Sequence, residues 1–101
     1  MINYSKKTYD AVAAADQDKL GVRLGAACID AQIPVQVVAG WFGISRQGVY
    51  NWFTGKSGVA TRHELKAQKI IGTIHAALDD KALPAANLVE AMQIIKQYKG
   101  K

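Results

Sequence analysis

Three side chains within six residues, Arg46, Gln47 and Asn51, end in planar groups that form paired hydrogen bonds. A guanidinium can bridge guanine O6 and N7, and a primary amide can pair with adenine N6 and N7, so this grouping suits the recognition of nucleic-acid base edges. No comparable grouping serves catalysis or metal binding. His63 and His75 stand twelve residues apart, the carboxylates are scattered and Cys28 is the single cysteine, so neither a metal-ligand spacing nor a nucleophile with its base emerges. Gly40, Gly43 and Gly48 do not match the spacing of nucleotide-binding loops. His75, between Ile74 and Ala76, reads as structural, and Cys28 as a small buried residue rather than a reactive thiol. The sequence predicts neither an enzyme nor a cofactor nor a metal site.

The elements that must position those side chains all read as helix. Asp16 or Asp18 can cap a helix running to residue 31, with Leu20, Leu24, Ala27 and Ala31 on one stripe. Ile33-Pro34 breaks it, because the residue before a proline is pushed out of the helical region while proline itself suits a helix start. A second helix, residues 35–42, ends at Gly43, which can take the positive φ of a helix stop. Ser45 caps a third helix, residues 45–53, and residues 56–60 form a loop. Thr61 and Glu64 have the spacing of a capping box for a fourth helix whose apolar face is Leu65, Ile71, Ile74 and Leu78. A fifth helix is expected over residues 85–98. Residues 3–15 are alanine-rich enough for a short extra helix, although an ordered arm would satisfy the same residues. No run of alternating β-branched and polar residues appears, so the predicted fold is all-α, a compact five-helix domain.

The 101-residue length fits one domain, and with 50% hydrophobic and 21% charged residues the composition is that of a globular chain. No apolar run is long enough for a membrane span and the first residues lack the pattern of a secretory signal. With one cysteine no internal disulfide is expected, which fits a cytoplasmic location. The formal charge of +5 is unevenly spread. Residues 1–34 balance, whereas residues 35–72 carry Arg46, Lys56, Arg62, Lys66 and Lys69 against Glu64 alone. A polyanion would be gripped there.

The geometry of two short helices joined by a tight glycine turn requires a small residue where they approach, here Ala39 flanked by Val38 and Phe42. Gly43 makes the turn, Ile44 fills the space beneath it, and Val49 with Trp52 forms the inner face of the next helix. On these positions the stretch PVQVVAGWFGISRQGVYNWFTG resembles the lambda-repressor-like (Cro-type) helix-turn-helix family of phage and bacterial regulators. The resemblance is specific over about twenty residues and looser over residues 18–78. It implies that Arg46, Gln47, Tyr50 and Asn51 face DNA bases, while Ser45, Thr54, Lys56 and Ser57 hold phosphates. Where the family has a polar cap and then Gln at the start of the first helix, this chain has Pro34 and Val35, so Gln36 is expected to take over that phosphate contact. Gly48 inside the recognition helix costs about 1 kcal/mol against alanine; closer approach to DNA and local packing are equally good reasons for it.

The resemblance implies a sequence-specific binder of double-stranded DNA, most simply a repressor that excludes RNA polymerase from an operator. A packaging or replication protein that marks a phage DNA site, and a helix-turn-helix reused for protein contacts through exposed Trp41 and Tyr50, are the alternatives. Family members bind as symmetric pairs, so a homodimer is expected. The chain divides accordingly into residues 1–17 as arm or short helix, 18–80 as DNA-binding domain and 81–101 as a C-terminal helix. Leu88, Val89, Met92, Ile94, Ile95 and Tyr98 cover more of that helix than one core-facing stripe needs, which makes it the candidate dimerisation element.

Overall fold

Local chemistry sets most of the helix ends in the computed structural model, which describes residues 4–85 and 88–99. Ser5 starts α1 (Lys6–Ala14) by accepting the Thr8 N–H at 3.2 Å, so the N-terminal segment is a helix where it is described. In α2 (Leu20–Asp30) the expected cap is not made: Lys19 occupies that place without a side-chain bond. Asp16 Oδ1 accepts the Asp18 N–H at 2.9 Å instead, a local turn that takes the carboxylate away from the helix end. Pro34 leads into α3 (Val35–Phe42), and Gly43 stops it at φ 66°. Ser45 Oγ accepts the Gly48 N–H at 3.1 Å and begins α4 (Arg46–Phe53).

The long helix α5 (Thr61–Asp79) also corrects the sequence reading at its start. Ala60 is its cap residue and Thr61 lies already inside the helix, so the Thr61–Glu64 capping box is not formed. Ala85 precedes α6 (Leu88–Lys99) rather than beginning it. Residues 86–87, within the span expected for that helix, lie outside the described residues, as do residues 1–3, 100–101 and the Leu88 side chain. Among the described residues all regular structure is helical, in six helices.

The core forms round α2, which packs against α1, α4 and α5, while α6 closes on α5. Leu24, Ala27 and Ala31 are buried as their stripe requires, and Leu20 partly so. On α5 the buried face is Ala67, Ile70, Ile71, Ile74 and Ala77, with Leu78 half-buried at its edge. Leu65, expected in that face, is 63% exposed. At about 100° per residue it points almost opposite to Ala67, so it lies off the stripe that the buried isoleucines and alanines share. His75, read as structural, is exposed; His63 is the packed histidine, edge-on to Phe42 at 5.3 Å between centroids and 5.8 Å from Trp52. Cys28 is fully buried, as expected, and burial pushes its thiol pKa well up. On α6, Ala91 and Ile95 face inward, and the Tyr98 hydroxyl donates to Asp80 Oδ2 at 2.6 Å, a bond that raises the tyrosine pKa.

One close approach governs the centre. A methyl group at Gly21 would lie 2.7 Å from the Trp52 carbonyl oxygen, and one at Gly25 would lie 2.7 Å from Phe53 Cγ and 3.1 Å from Phe53 Cα. Alanine is the better helix former by about 1 kcal/mol, yet overpacking against fixed backbone costs about 1 to 3 kcal/mol and wins at these sites. Gly21→Ala and Gly25→Ala are therefore expected to lower the urea midpoint. Gly40→Ala, on α3 with nothing within 4 Å of the added methyl, is expected to raise that midpoint through a gain in stability of up to about 1 kcal/mol.

Candidate nucleic-acid interface

The pair α3 and α4 presents one face inward and one outward because its apolar residues are spaced at helical intervals. Val38, Ala39 and Phe42 of α3 are buried, as are Val49 and Trp52 of α4, with the Phe42 and Trp52 rings edge-to-face at 5.1 Å. Gly43 supplies the turn and Ile44 lies half-buried against the core. The burial expected of Val38, Ala39, Phe42, Val49 and Trp52 and the positive φ expected of Gly43 are found. Lys66 of α5 donates to the Trp41 carbonyl and holds its ammonium 5.4 Å from the Phe42 ring centroid. Lys19 donates to the Gly55 carbonyl at 3.0 Å. Each cation thus sits at the C-terminal end of a short helix, where the carbonyl dipoles favour positive charge. Lys66, counted in the basic middle of the sequence, is engaged in the fold.

Arg46 and Gln47 are exposed, and Tyr50 and Asn51 are half-buried. Gln47 Nε2 donates to Asn51 Oδ1 at 3.0 Å, which aligns the two amides one turn apart and leaves Gln47 Oε1 as acceptor and Asn51 Nδ2 as donor. Arg46, Tyr50 and Thr54 follow each other at four-residue intervals and make the adjoining stripe. Tyr50 and Trp41, expected to be exposed, are both half-buried and packed against the core. A methyl on Gly48 would meet Ser45 Oγ at 3.4 Å and Ile44 Cδ1 at 3.5 Å, ordinary contacts, so packing does not demand glycine there.

The expected phosphate ligands divide. Gln36, Ser45, Lys56 and Ser57 are exposed. Ser45 accepts the capping bond through its oxygen and keeps its hydroxyl proton to donate. Thr54 Oγ1 donates to the Tyr50 carbonyl at 2.7 Å, which leaves its oxygen as an acceptor in this arrangement. The amides of Lys56 and Ser57 both turn back to the Asn51 carbonyl, at 2.9 and 3.2 Å, so this loop offers side chains and not backbone N–H groups outward.

Sequence reasoning did not place the N-terminal segment beside α4. A groove of about 200 Å3 is lined by Tyr4 and Ser5 of the N-terminal segment, by Pro34, Val35 and Gln36 at the start of α3, and by Arg46 and Tyr50 of α4. Tyr4 anchors this wall: its hydroxyl donates to the Ile33 carbonyl and its ring lies 6.5 Å from that of Phe53. Burial, with Cys28 and Tyr50 nearby, pushes its pKa far up. The alanine content of residues 3–15 allowed a helix, but nothing local signalled where it docks.

Among the described residues no group of His, Cys, Asp and Glu is gathered that could hold a metal ion, and no helix is long and apolar enough to cross a membrane. Comparison of the chain with protein-family models, with curated proteins and with solved structures finds no match. The geometry of α4 therefore carries the functional argument. Its start depends on Ser45: Ser45→Ala is expected to cost about 1 kcal/mol of stability in chemical denaturation, and Ser45→Asp, which restores the accepting oxygen, to recover most of it.

Proposed function

We propose that this chain binds double-stranded DNA sequence-specifically as a transcriptional regulator of repressor type, of phage or bacterial origin. On this reading α3 and α4 form a helix-turn-helix of the lambda-repressor-like kind, to which α1 is an addition, and α4 enters the major groove. One observation carries it. The outward face of an eight-residue helix, fixed by burial of Val49, Trp52 and Phe53 behind it, presents Arg46 beside the hydrogen-bonded Gln47–Asn51 pair.

That face matches what a groove offers. Arg46 suits guanine, and Gln47, with one amide proton given to Asn51, keeps the carbonyl oxygen and the second proton that adenine N6 and N7 require. Lys56, Ser57, Ser45 and Gln36 flank the helix with exposed polar groups for phosphates. Trp41 and Tyr50 are half-buried against the core and so offer less aromatic surface to a protein partner than the sequence led one to expect, which favours the DNA-binding reading.

A single helix reads few base pairs, and each contributes only about 1 to 3 kcal/mol of discrimination, so the reading includes pairing of two copies on half-sites about 34 Å apart. Val89, 68% exposed, and Met92, 38% exposed, give α6 an apolar outer surface for that contact.

Fluorescence anisotropy with duplex DNA at several salt concentrations tests the proposal. Affinity is expected to fall linearly in log–log form with salt. Gln47→Ala is expected to cost about 1 to 3 kcal/mol on a preferred site and to relax preference at one base pair, whereas Lys56→Ala weakens all sequences alike and lowers the salt slope by about one. Salt-independent binding, or equal losses on preferred and random DNA for both variants, would contradict it. Sedimentation of the complex is expected to show two copies per site; a monomer on one asymmetric site would refute the pairing.

A further inference from the structure

The N-terminal helix does more than cover the core. Beyond the groove that Tyr4 and Ser5 share with Arg46, a second groove of about 400 Å3 separates α1 from the end of α4. Lys7 and Thr8 stand on the α1 wall, Thr54 and Lys56 on the other, and Ala11 and Ala14 on the α1 side keep the channel free of bulk. No carboxylate lines it, although α1 contains Asp10. Thr8 Oγ1 accepts from Ser5 Oγ at 3.0 Å, which leaves its own hydroxyl proton to donate. A lysine on each wall with alanines between them, in a groove open to solvent, suits a polyanion that runs along it better than a small enclosed anion.

We infer that this channel, through Lys7 and Thr8 on α1 and Lys56 beyond α4, grips the sugar–phosphate backbone of the duplex whose bases α4 reads. The inference rests on the DNA-binding reading above. A helix seated in the major groove, about 12 Å wide, has a phosphate backbone along each flank. Arg46 and Tyr50 share one groove with Tyr4 and the α1 cap Ser5, and Thr54 shares the other with Lys7 and Thr8, so a backbone lying along that flank of α4 passes the start of α1. A wall bearing carboxylates or long apolar side chains would exclude it; the wall present offers an ammonium, a hydroxyl and alanines. Such contacts add grip without reading bases, so they strengthen binding to every sequence.

Lys7→Ala and Ala11→Glu test the inference, with Arg23→Ala on α2, exposed and outside every site named above, as control and mixed-sequence duplex DNA as the probe. Both altered side chains are exposed, and circular dichroism checks that each variant keeps its helix content. One phosphate contact contributes a salt exponent of about 0.9, so its loss is expected to weaken binding about eight-fold at 0.1 M salt and to lower the slope by about one. Ala11→Glu, which sets a carboxylate in the channel, is expected to weaken binding at least as much. Base preference is expected to be unchanged in both, and Arg23→Ala to have a smaller effect than either. Wild-type binding that neither variant weakens beyond the control would overturn the role of α1 and leave that of α4 standing. Absence of wild-type binding would overturn both.

Discussion

The close approach of α2 to α4 across Gly21 and Gly25 is the constraint on which the rest of the structure depends. An eight-residue helix is too short to persist alone, since nucleation is unfavourable and few bonds follow it. What holds α4 is burial of Val49, Trp52 and Phe53 against α2 and α3, and a fully buried phenylalanine contributes about 1.5 to 3 kcal/mol. Side chains at positions 21 and 25 would hold the helices apart by more than that packing tolerates. With the contact made, rotation of α4 about its axis is fixed, and so is the direction in which Arg46, Gln47 and Asn51 point.

The ends of the short helices are finished by groups from elsewhere in the chain. Ser45 caps α4 from its own sequence, but Lys19 reaches its C-terminal end from the start of α2, and Lys66 reaches the end of α3 from α5. Every carbonyl or amide satisfied this way is one that neither water nor a ligand needs to satisfy. The loop amides of Lys56 and Ser57 are consumed in the same manner. On the proposed reading, recognition is therefore left to side chains, with amides for bases and ammonium groups for phosphates. Rigidity behind the face matters because paired hydrogen bonds tolerate little misalignment.

The centre of the candidate site was legible in the sequence because its signals are local. Pro34, Gly43 and Ser45 punctuate the chain within twelve residues, and Val38, Ala39, Val49 and Trp52 show their inward face by spacing alone. Features decided by tertiary contact were not legible. Leu65 looked like core by type, but it lies off the stripe of Ala67, Ile70, Ile71, Ile74 and Ala77 along which α5 packs. Gly21 and Gly25 had no reading because only the position of Trp52 and Phe53 gives them meaning. Asp16 had the right chemistry for a cap and spent it one turn earlier. The docking of α1 beside α4 depends on Tyr4 finding the Ile33 carbonyl, 29 residues away, which no local pattern encodes.

The central claim is that a rigid polar face reads base sequence, and selection of bound sites from a pool of random duplexes tests it most directly. The account predicts an enriched, two-fold related motif whose half-sites contain guanine and adenine positions that Arg46→Ala and Gln47→Ala respectively randomise. Recovery of sequences no different from the starting pool, by protein that is folded and at low salt, would contradict it.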